Sequence, residues 1–232
     1  LVSNGNRGNI VALRLLRYIL FTILFFAGLT AGAFLLAGTW LLPAFWLVFA
    51  AQAVFSCWCI LVLDPDLISE RIRPKGEDLD RFGRPVLSAL YLVQIGLAAL
   101  DVGRLHFSDK VPPIGQFMAF LLLVLAFLGL IWTMRENRFF SSAVRLQEDR
   151  GQTVISTGPY YYVRHPGYIF GSVLIMGQSI ALGSWLSALF GVIFVVLLIK
   201  RTLLEEDMLS TNLPGYKEYA RTVRYRWLPG IW

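Results

Sequence analysis

Six stretches of this chain carry almost no charge, and three of them are long enough to cross a bilayer unaided. They run from Tyr18 to Gly38, Leu41 to Leu63, Val86 to Leu100, Ile114 to Met134, Gly167 to Leu182 and Trp185 to Ile199. A helix needs roughly 20 apolar residues to span about 30 Å of hydrocarbon. The first, second and fourth stretches meet that length. The third reaches it only by taking in Asp101, and the last two are short and separated by Gly183-Ser184 alone, which reads as a tight helical hairpin. The expected fold class is all-α: a polytopic membrane protein of about six transmembrane segments, ending in a helical hairpin with a cytoplasmic pocket. Composition agrees, because 56% of residues are hydrophobic and 16% charged, against roughly 45–50% and about 25% in soluble domains.

The basic residues give the orientation. Of the 21 lysines and arginines, only Arg104 and Lys110 fall between the third and fourth spans. The others lie before the first span, after the second, after the fourth or in the tail, so both termini are expected in the cytoplasm. The net charge of +6 then follows from topology and from anionic lipid at that surface. Because the cations are spread over four segments rather than forming one stripe, no nucleic-acid partner is expected.

Cys57 and Cys59 lie two apart within the second span, a spacing that disfavours a disulfide. Without histidine neighbours they make a poor metal site, and no metal is expected. The first apolar run is too long for a signal-peptide core of roughly 7–15 residues. The chain begins at Leu1 rather than an initiator methionine, and the sequence leaves open whether residues precede it. Gly28 and Gly32 share a spacing that permits close helix approach, with intramolecular packing as the expected use. The loop from Asp64 to Arg84, with Pro65 and Pro74, Pro85 directly after it and mixed charges, reads as a solvated connector at headgroup level.

The character of the chain changes at Arg135. Residues 1–134 read as N-terminal transmembrane helices and residues 135–232 as a C-terminal core, the two forming one integrated domain. Three stretches concentrate polar and aromatic residues on the expected cytoplasmic side. They are Met134 to Gln147, Ser156 to Tyr168, and Lys200 to Leu209 followed by Pro214-Gly-Tyr-Lys-Glu-Tyr219 and the tail to Trp232. Gly158-Pro159 signals a turn, and Pro166 suits a first helical position. His165 is then at the N-cap, where free N–H groups and the helix dipole favour an electron-rich partner. Tyr160, Tyr161, Tyr162 and Tyr168 suit a planar heteroaromatic ligand, but equally an interfacial aromatic belt. Arg201 and Glu205 share a helix face at a spacing of four. They read either as an exposed ion pair worth under about 1 kcal/mol or as a site in which Glu205 accepts from a ligand and Arg201 holds an anionic substrate group.

Together, Gly158-Pro-Tyr-Tyr-Tyr-Val-Arg-His-Pro-Gly-Tyr168, Glu205-Glu206 with Leu209, Gly215-Tyr216 with Tyr219, and Arg226-Trp-Leu-Pro-Gly-Ile-Trp232 resemble the isoprenylcysteine carboxyl methyltransferases and their prokaryotic relatives, a family related to the phospholipid N-methyltransferases. The resemblance covers roughly residues 130 to 232. It implies a membrane enzyme whose C-terminal helices and tail close over S-adenosylmethionine. It places Gln147, the strand-like piece Gln152, Thr153, Val154 and Ile155, and Tyr160, His165, Pro166, Gly167, Tyr168, Glu205 and Glu206 at the cofactor. Arg201 and Glu205 take the catalytic positions, Arg201 on the substrate side. The implied acceptor is lipophilic or small, a prenylcysteine-like carboxylate foremost, drawn from the bilayer. No Gly-x-Gly-x-x-Gly fingerprint occurs, so no soluble nucleotide-binding domain is expected. The competing readings are an NADPH-dependent membrane reductase and a non-enzymatic membrane protein of the same fold. The oligomeric state is not readable from the sequence.

Overall fold

The computed structural model describes residues 4–232, with side chains from Ala12 onward. Eight α-helices and no strand occur among the described residues: α1 Asn4–Ala37, α2 Pro43–Val62, α3 Pro65–Ile72, α4 Gly83–Leu100, α5 Pro113–Glu136, α6 Pro166–Ala181, α7 Trp185–Asn212 and α8 Tyr216–Thr222. Five of them are long and apolar enough to cross a membrane: α1, α2, α4 with its extension, α5 and α7. The protein is thus an all-helical, multi-pass membrane protein. Its lipid-facing side chains include Leu20, Phe21, Leu24, Leu122, Leu125, Leu189 and Val196, all exposed.

The third span reaches its length in an unusual way. α4 continues as a π-helical turn, Asp101–Leu105, to make a span from Gly83 to Leu105. Asp101 is fully buried at this junction, and the cost is offset by donors that meet its carboxylate. The Phe107 and Ser108 N–H groups donate to Oδ1 at 2.9 and 2.8 Å, and the Ser108 and Ser184 hydroxyls to Oδ2 at 2.5 and 2.6 Å. The π-turn also presses against the end of α1, where a Cβ on Gly103 would lie 2.4 Å from the Ala37 carbonyl oxygen.

The hairpin is present as α6 and α7, joined through Leu182–Ser184. α6 has 16 residues, about 24 Å at the α-helical rise, so it falls short of a full span. Its tip is pinned beside the α4–α5 connection, the Trp185 N–H donating to the Ser108 carbonyl at 3.3 Å. α7 runs well past Ile199 to Asn212, carrying Arg201, Glu205 and Glu206 on continuous helix.

α5 packs along α6, α7 against both α6 and α4, and α1 against α2 and α4. Apolar contact alone discriminates weakly in lipid, so small residues and hydrogen bonds fix the arrangement. Gln52 on α2 donates to Gln178 on α6 and accepts from Tyr91 on α4 at 2.9 Å. Gln94 on α4 donates through its side chain to the Ile175 carbonyl at 2.8 Å and to Ser179, and its main-chain carbonyl accepts from the Ser187 hydroxyl at 3.0 Å. A Cβ on either Gly28 or Gly32 would meet nothing within 4 Å. The intramolecular use expected of that spacing is therefore not found.

Candidate active site

A cavity of about 660 Å³ runs from the loops after α5 into the helix bundle, within the roughly 300–1,000 Å³ usual for small-molecule sites. Its bundle arm is lined by Phe26, Leu87, Phe127, Leu174, Phe194 and Leu198, with the Gln52–Gln178–Tyr91 cluster among them. Its loop end is lined by Gln147, Gln152, Thr153, Val154, Ile155, Tyr160, His165, Gly167, Tyr168, Arg201 and Glu205. Pro166 and Glu206 do not line it.

The loop end is shaped by two helix termini. Pro166 begins α6 with His165 at its N-cap, where the imidazole makes no cap hydrogen bond. Tyr168, one turn in, meets α7. Its hydroxyl donates to Glu205 Oε2 at 2.6 Å and accepts from Arg201 Nε at 3.2 Å. Arg201 and Glu205 thus share a face as their spacing predicts, but they communicate through Tyr168. The other arms of Arg201 are taken: Nη1 donates to Asp80 at 2.9 Å and Nη2 to the Ser142 carbonyl at 2.6 Å. Glu205 keeps carboxylate surface open to the cavity and is half-buried.

Glu206 lies off the cavity, across the His165 ring from Glu205, and is buried. Arg164 grips it in a planar fork, Nε to Oε1 and Nη2 to Oε2, both at 2.7 Å. Tyr216 donates to Oε1 at 2.6 Å, Arg226 to Oε2 at 2.8 Å, and His165 Nε2 lies 3.2 Å from Oε1. Arg164 further holds the tail by donating to the Val223 and Arg224 carbonyls. The Arg164 and His165 N–H groups donate to the Tyr225 and Arg226 carbonyls at 3.0 and 2.9 Å. Trp227 then stacks on Tyr168 with ring centroids 6.2 Å apart and donates to Thr202 at 2.9 Å. Burial opposes the charge on Arg164, but the bonds to Glu206 outweigh it and raise its pKa. Burial, reinforced by the bond to Glu206, pushes the Tyr216 phenol far up, so it remains a donor.

The four tyrosines divide. Tyr161 and Tyr162 point outward, exposed, whereas Tyr160 is buried and Tyr168 lines the cavity. Burial pushes the Tyr160 phenol up, partly offset by the hydrogen bond from Asn137 Nδ2 at 3.0 Å. Gln147 is buried with its amide committed, Nε2 donating to the Phe139 carbonyl and Oε1 accepting from Arg150, both at 2.6 Å. Gln152 Oε1 accepts from the Gln147 N–H at 2.7 Å. These two side chains shape the loop.

The piece from Gln152 to Ile155 is irregular rather than a strand, since a ladder needs a neighbouring chain and none lies beside it. The consequence is chemical. The N–H and C=O groups of Thr153, Val154 and Ile155 have no protein partner among the described residues, and these residues line the cavity. Such groups match the edge of a nucleobase. With the Glu205 carboxylate beside them in a cavity of this size, these groups could hold a nucleoside-bearing cofactor.

Several residues of the site lie where the sequence suggested only a connector. In the 64–84 segment, Asp64 caps α3 by accepting from the Asp66 N–H at 2.7 Å, and Pro65 starts the helix. Leu67, Ile68 and Glu70 are buried, Arg71 and Arg84 line the cavity, and Asp80 pairs with Arg201. Burial disfavours the Glu70 carboxylate, but hydrogen bonds from Arg145 and Ser141 outweigh that and lower its pKa. The signal was available in the Asp-Pro cap followed by apolar residues at helical spacing.

The phospholipid methyltransferase family model matches residues 114–214. A nickel-cobalt-cadmium resistance protein, NccN, of Alcaligenes xylosoxydans xylosoxydans is 27% identical over 135 residues, which are 56% of this chain and 58% of that protein. The matched stretch thus spans less than two thirds of that relative's length. The family match supports a likeness to membrane methyltransferases over residues 114–214. The family match, to somewhat less than half of the chain, takes in almost all of α5, with α6, α7 and the residues of the cavity's loop end.

Proposed function

We propose that this protein is an integral membrane methyltransferase that moves a methyl group from S-adenosylmethionine to a lipophilic or small acceptor, a prenylcysteine-like carboxylate foremost. The observation that carries this reading is the single cavity joining unpartnered backbone groups and Glu205 at one end to an apolar arm within the bundle at the other. The N-terminal helices 1–134 supply much of the acceptor wall and residues 135–232 the cofactor core, within one domain. Both termini are cytoplasmic in this account, because the end of the bundle bearing α3, α8 and the 137–165 loop also bears most of the basic residues.

When bound, S-adenosylmethionine supplies a methyl group activated by a cationic sulfonium. The backbone of Thr153, Val154 and Ile155 is the edge that reads the adenine, with Tyr160, His165, Gly167 and Tyr168 around it. Glu205 accepts hydrogen bonds from the cofactor, and Tyr168 fixes its position from one side. Arg201, held by Asp80 and the Ser142 carbonyl, acts by locking Tyr168. Glu206, Arg164, Tyr216 and Arg226 hold the tail over this end and exclude water, which strengthens the remaining electrostatics. A carboxylate acceptor is already a nucleophile at neutral pH, so the chain has mainly to orient it. The name of the 27% identical relative refers to metal resistance. Among the described residues, no group of three or more His, Cys, Asp or Glu is arranged to hold a metal ion, and the proposed role runs through methyl transfer.

Incubating the purified protein with methyl-labelled S-adenosylmethionine and a panel of prenylcysteine analogues, fatty acids and phospholipid amines tests this. Label should appear in an extractable acceptor and be lost in Glu205→Gln. Absence of transfer to every class from a folded protein that also fails to bind the cofactor removes the proposal.

A further inference from the structure

Five arginines line the cavity: Arg71, Arg84, Arg145, Arg164 and Arg201. Four have a carboxylate partner. Arg145 meets Glu70 at 2.9 Å and Asp149 at 2.8 Å, Arg164 meets Glu206 at 2.7 Å, Arg201 meets Asp80 at 2.9 Å, and Arg84 lies 4.0 Å from Asp78. Arg71 has none among the described residues. Its guanidinium lies over the Phe140 ring, 4.8 Å from the centroid, and its one protein acceptor is the Phe140 carbonyl at 3.5 Å.

A cation in the last turn of α3 and against an aromatic face is well placed for the helix dipole and for a cation–π contact. Neither accounts for the two nitrogens, Nε and Nη2, that face no acceptor. Burial lowers the pKa of Arg71, partly offset by Cys59, Tyr160 and Tyr168, yet a guanidinium stays protonated. The unspent charge lines the cavity close to Tyr160, Tyr168 and Arg201. Arg201, the arginine assigned to substrate from sequence, has its donors committed within the protein.

We propose that Arg71 is the anion subsite of the cavity, holding the carboxylate or phosphate head of a lipophilic acceptor whose tail occupies the arm between the helices. This rests on the methyltransferase reading for the word acceptor, but the subsite itself is testable without it. A planar guanidinium pairs such an oxyanion through two parallel hydrogen bonds, and orients it beside Tyr168 and Glu205.

The test is a competition read by native mass spectrometry. Purified protein in a neutral detergent is offered dodecanoate, dodecyl phosphate and dodecanol together, with S-adenosylmethionine titrated in parallel. The wild type should take one of the two anions over dodecanol by about tenfold or more, the scale of a hydrogen bond to a charged group, and the favoured anion names the head. Arg71→Met should lose that preference while binding S-adenosylmethionine as the wild type does. Should Arg71→Met not fold, Arg71→Lys keeps the charge without the fork and should show a reduced preference. Equal uptake of all three by the wild type, or an unchanged preference in a folded variant, overturns the proposal. So does loss of cofactor binding with the preference intact, since Arg71 would then be serving the methionyl carboxylate. An Arg71-dependent preference in a protein that does not bind the cofactor keeps the subsite and removes the methyltransferase reading.

Discussion

Replacing Glu206 with alanine should release the tail from the cavity while leaving the cavity's own lining in place. The carboxylate is buried and receives Arg164 in a two-point fork, together with Tyr216 and Arg226. Arg164 is itself buried, so the substitution strands a cation. Removing one partner of a buried pair costs about 3–5 kcal/mol. For a chain of this size that lowers the melting temperature by roughly 10 °C. The tail should also become cleavable, because the Arg164 bonds to the Val223 and Arg224 carbonyls depend on the same guanidinium. Limited trypsin digestion with intact-mass detection reads this as accelerated cutting at Arg221, Arg224 and Arg226, alongside a thermal melt in detergent. Glu206→Gln should lose less, since one oxygen remains to accept. The double change Arg164→Met with Glu206→Met should recover much of the loss, because neither charge is then left alone. A Glu206→Ala protein that melts within about 1 kcal/mol of wild type, with its tail equally protected, would refute the reasoning.

Other sites give independent predictions. Asp101→Ala removes the acceptor for four donors at the π-turn, two of them backbone N–H groups, and should cost about 2–4 kcal/mol in a thermal melt; an unchanged melt sinks the assignment of Asp101 as the lock of the hairpin tip. Gly103→Ala places a methyl 2.4 Å from the Ala37 carbonyl oxygen, and the overpacking should cost about 1–3 kcal/mol. The depressed pKa of Glu70 makes its contribution pH-dependent: present above the ordinary carboxylate range, it is lost as pH falls through the folded value. Wild type should therefore out-melt Glu70→Gln near neutrality, with the gap closing below about pH 4. A gap that widens on acidification contradicts the sign.

The membrane class and the hairpin were legible because long apolar runs and a two-residue gap leave few alternatives. The third span was not fully legible, since its length depends on a buried Asp101 whose donors, Ser108 and Ser184, come from other parts of the chain. His165, Tyr168, Arg201 and Glu205 were singled out through motif order and helical spacing, and the structure brings them to one end of a cavity. Sequence could not show that Glu205 lines the cavity while its neighbour Glu206 is held off it by Arg164, the two lying against the two nitrogens of His165. Arg71 and Asp80 were missed for a related reason. They lie in a charged, proline-rich segment, and their contacts with Phe140 and Arg201 appear only when that segment is folded against α5 and the 139–145 loop.

The most direct test of the account is calorimetric titration of the detergent-purified protein with S-adenosylmethionine, repeated on Glu205→Gln. The wild type should bind saturably, and binding should weaken about tenfold or more in a variant that melts normally. A folded wild type that takes up no S-adenosylmethionine, or binding that Glu205→Gln leaves untouched, contradicts it.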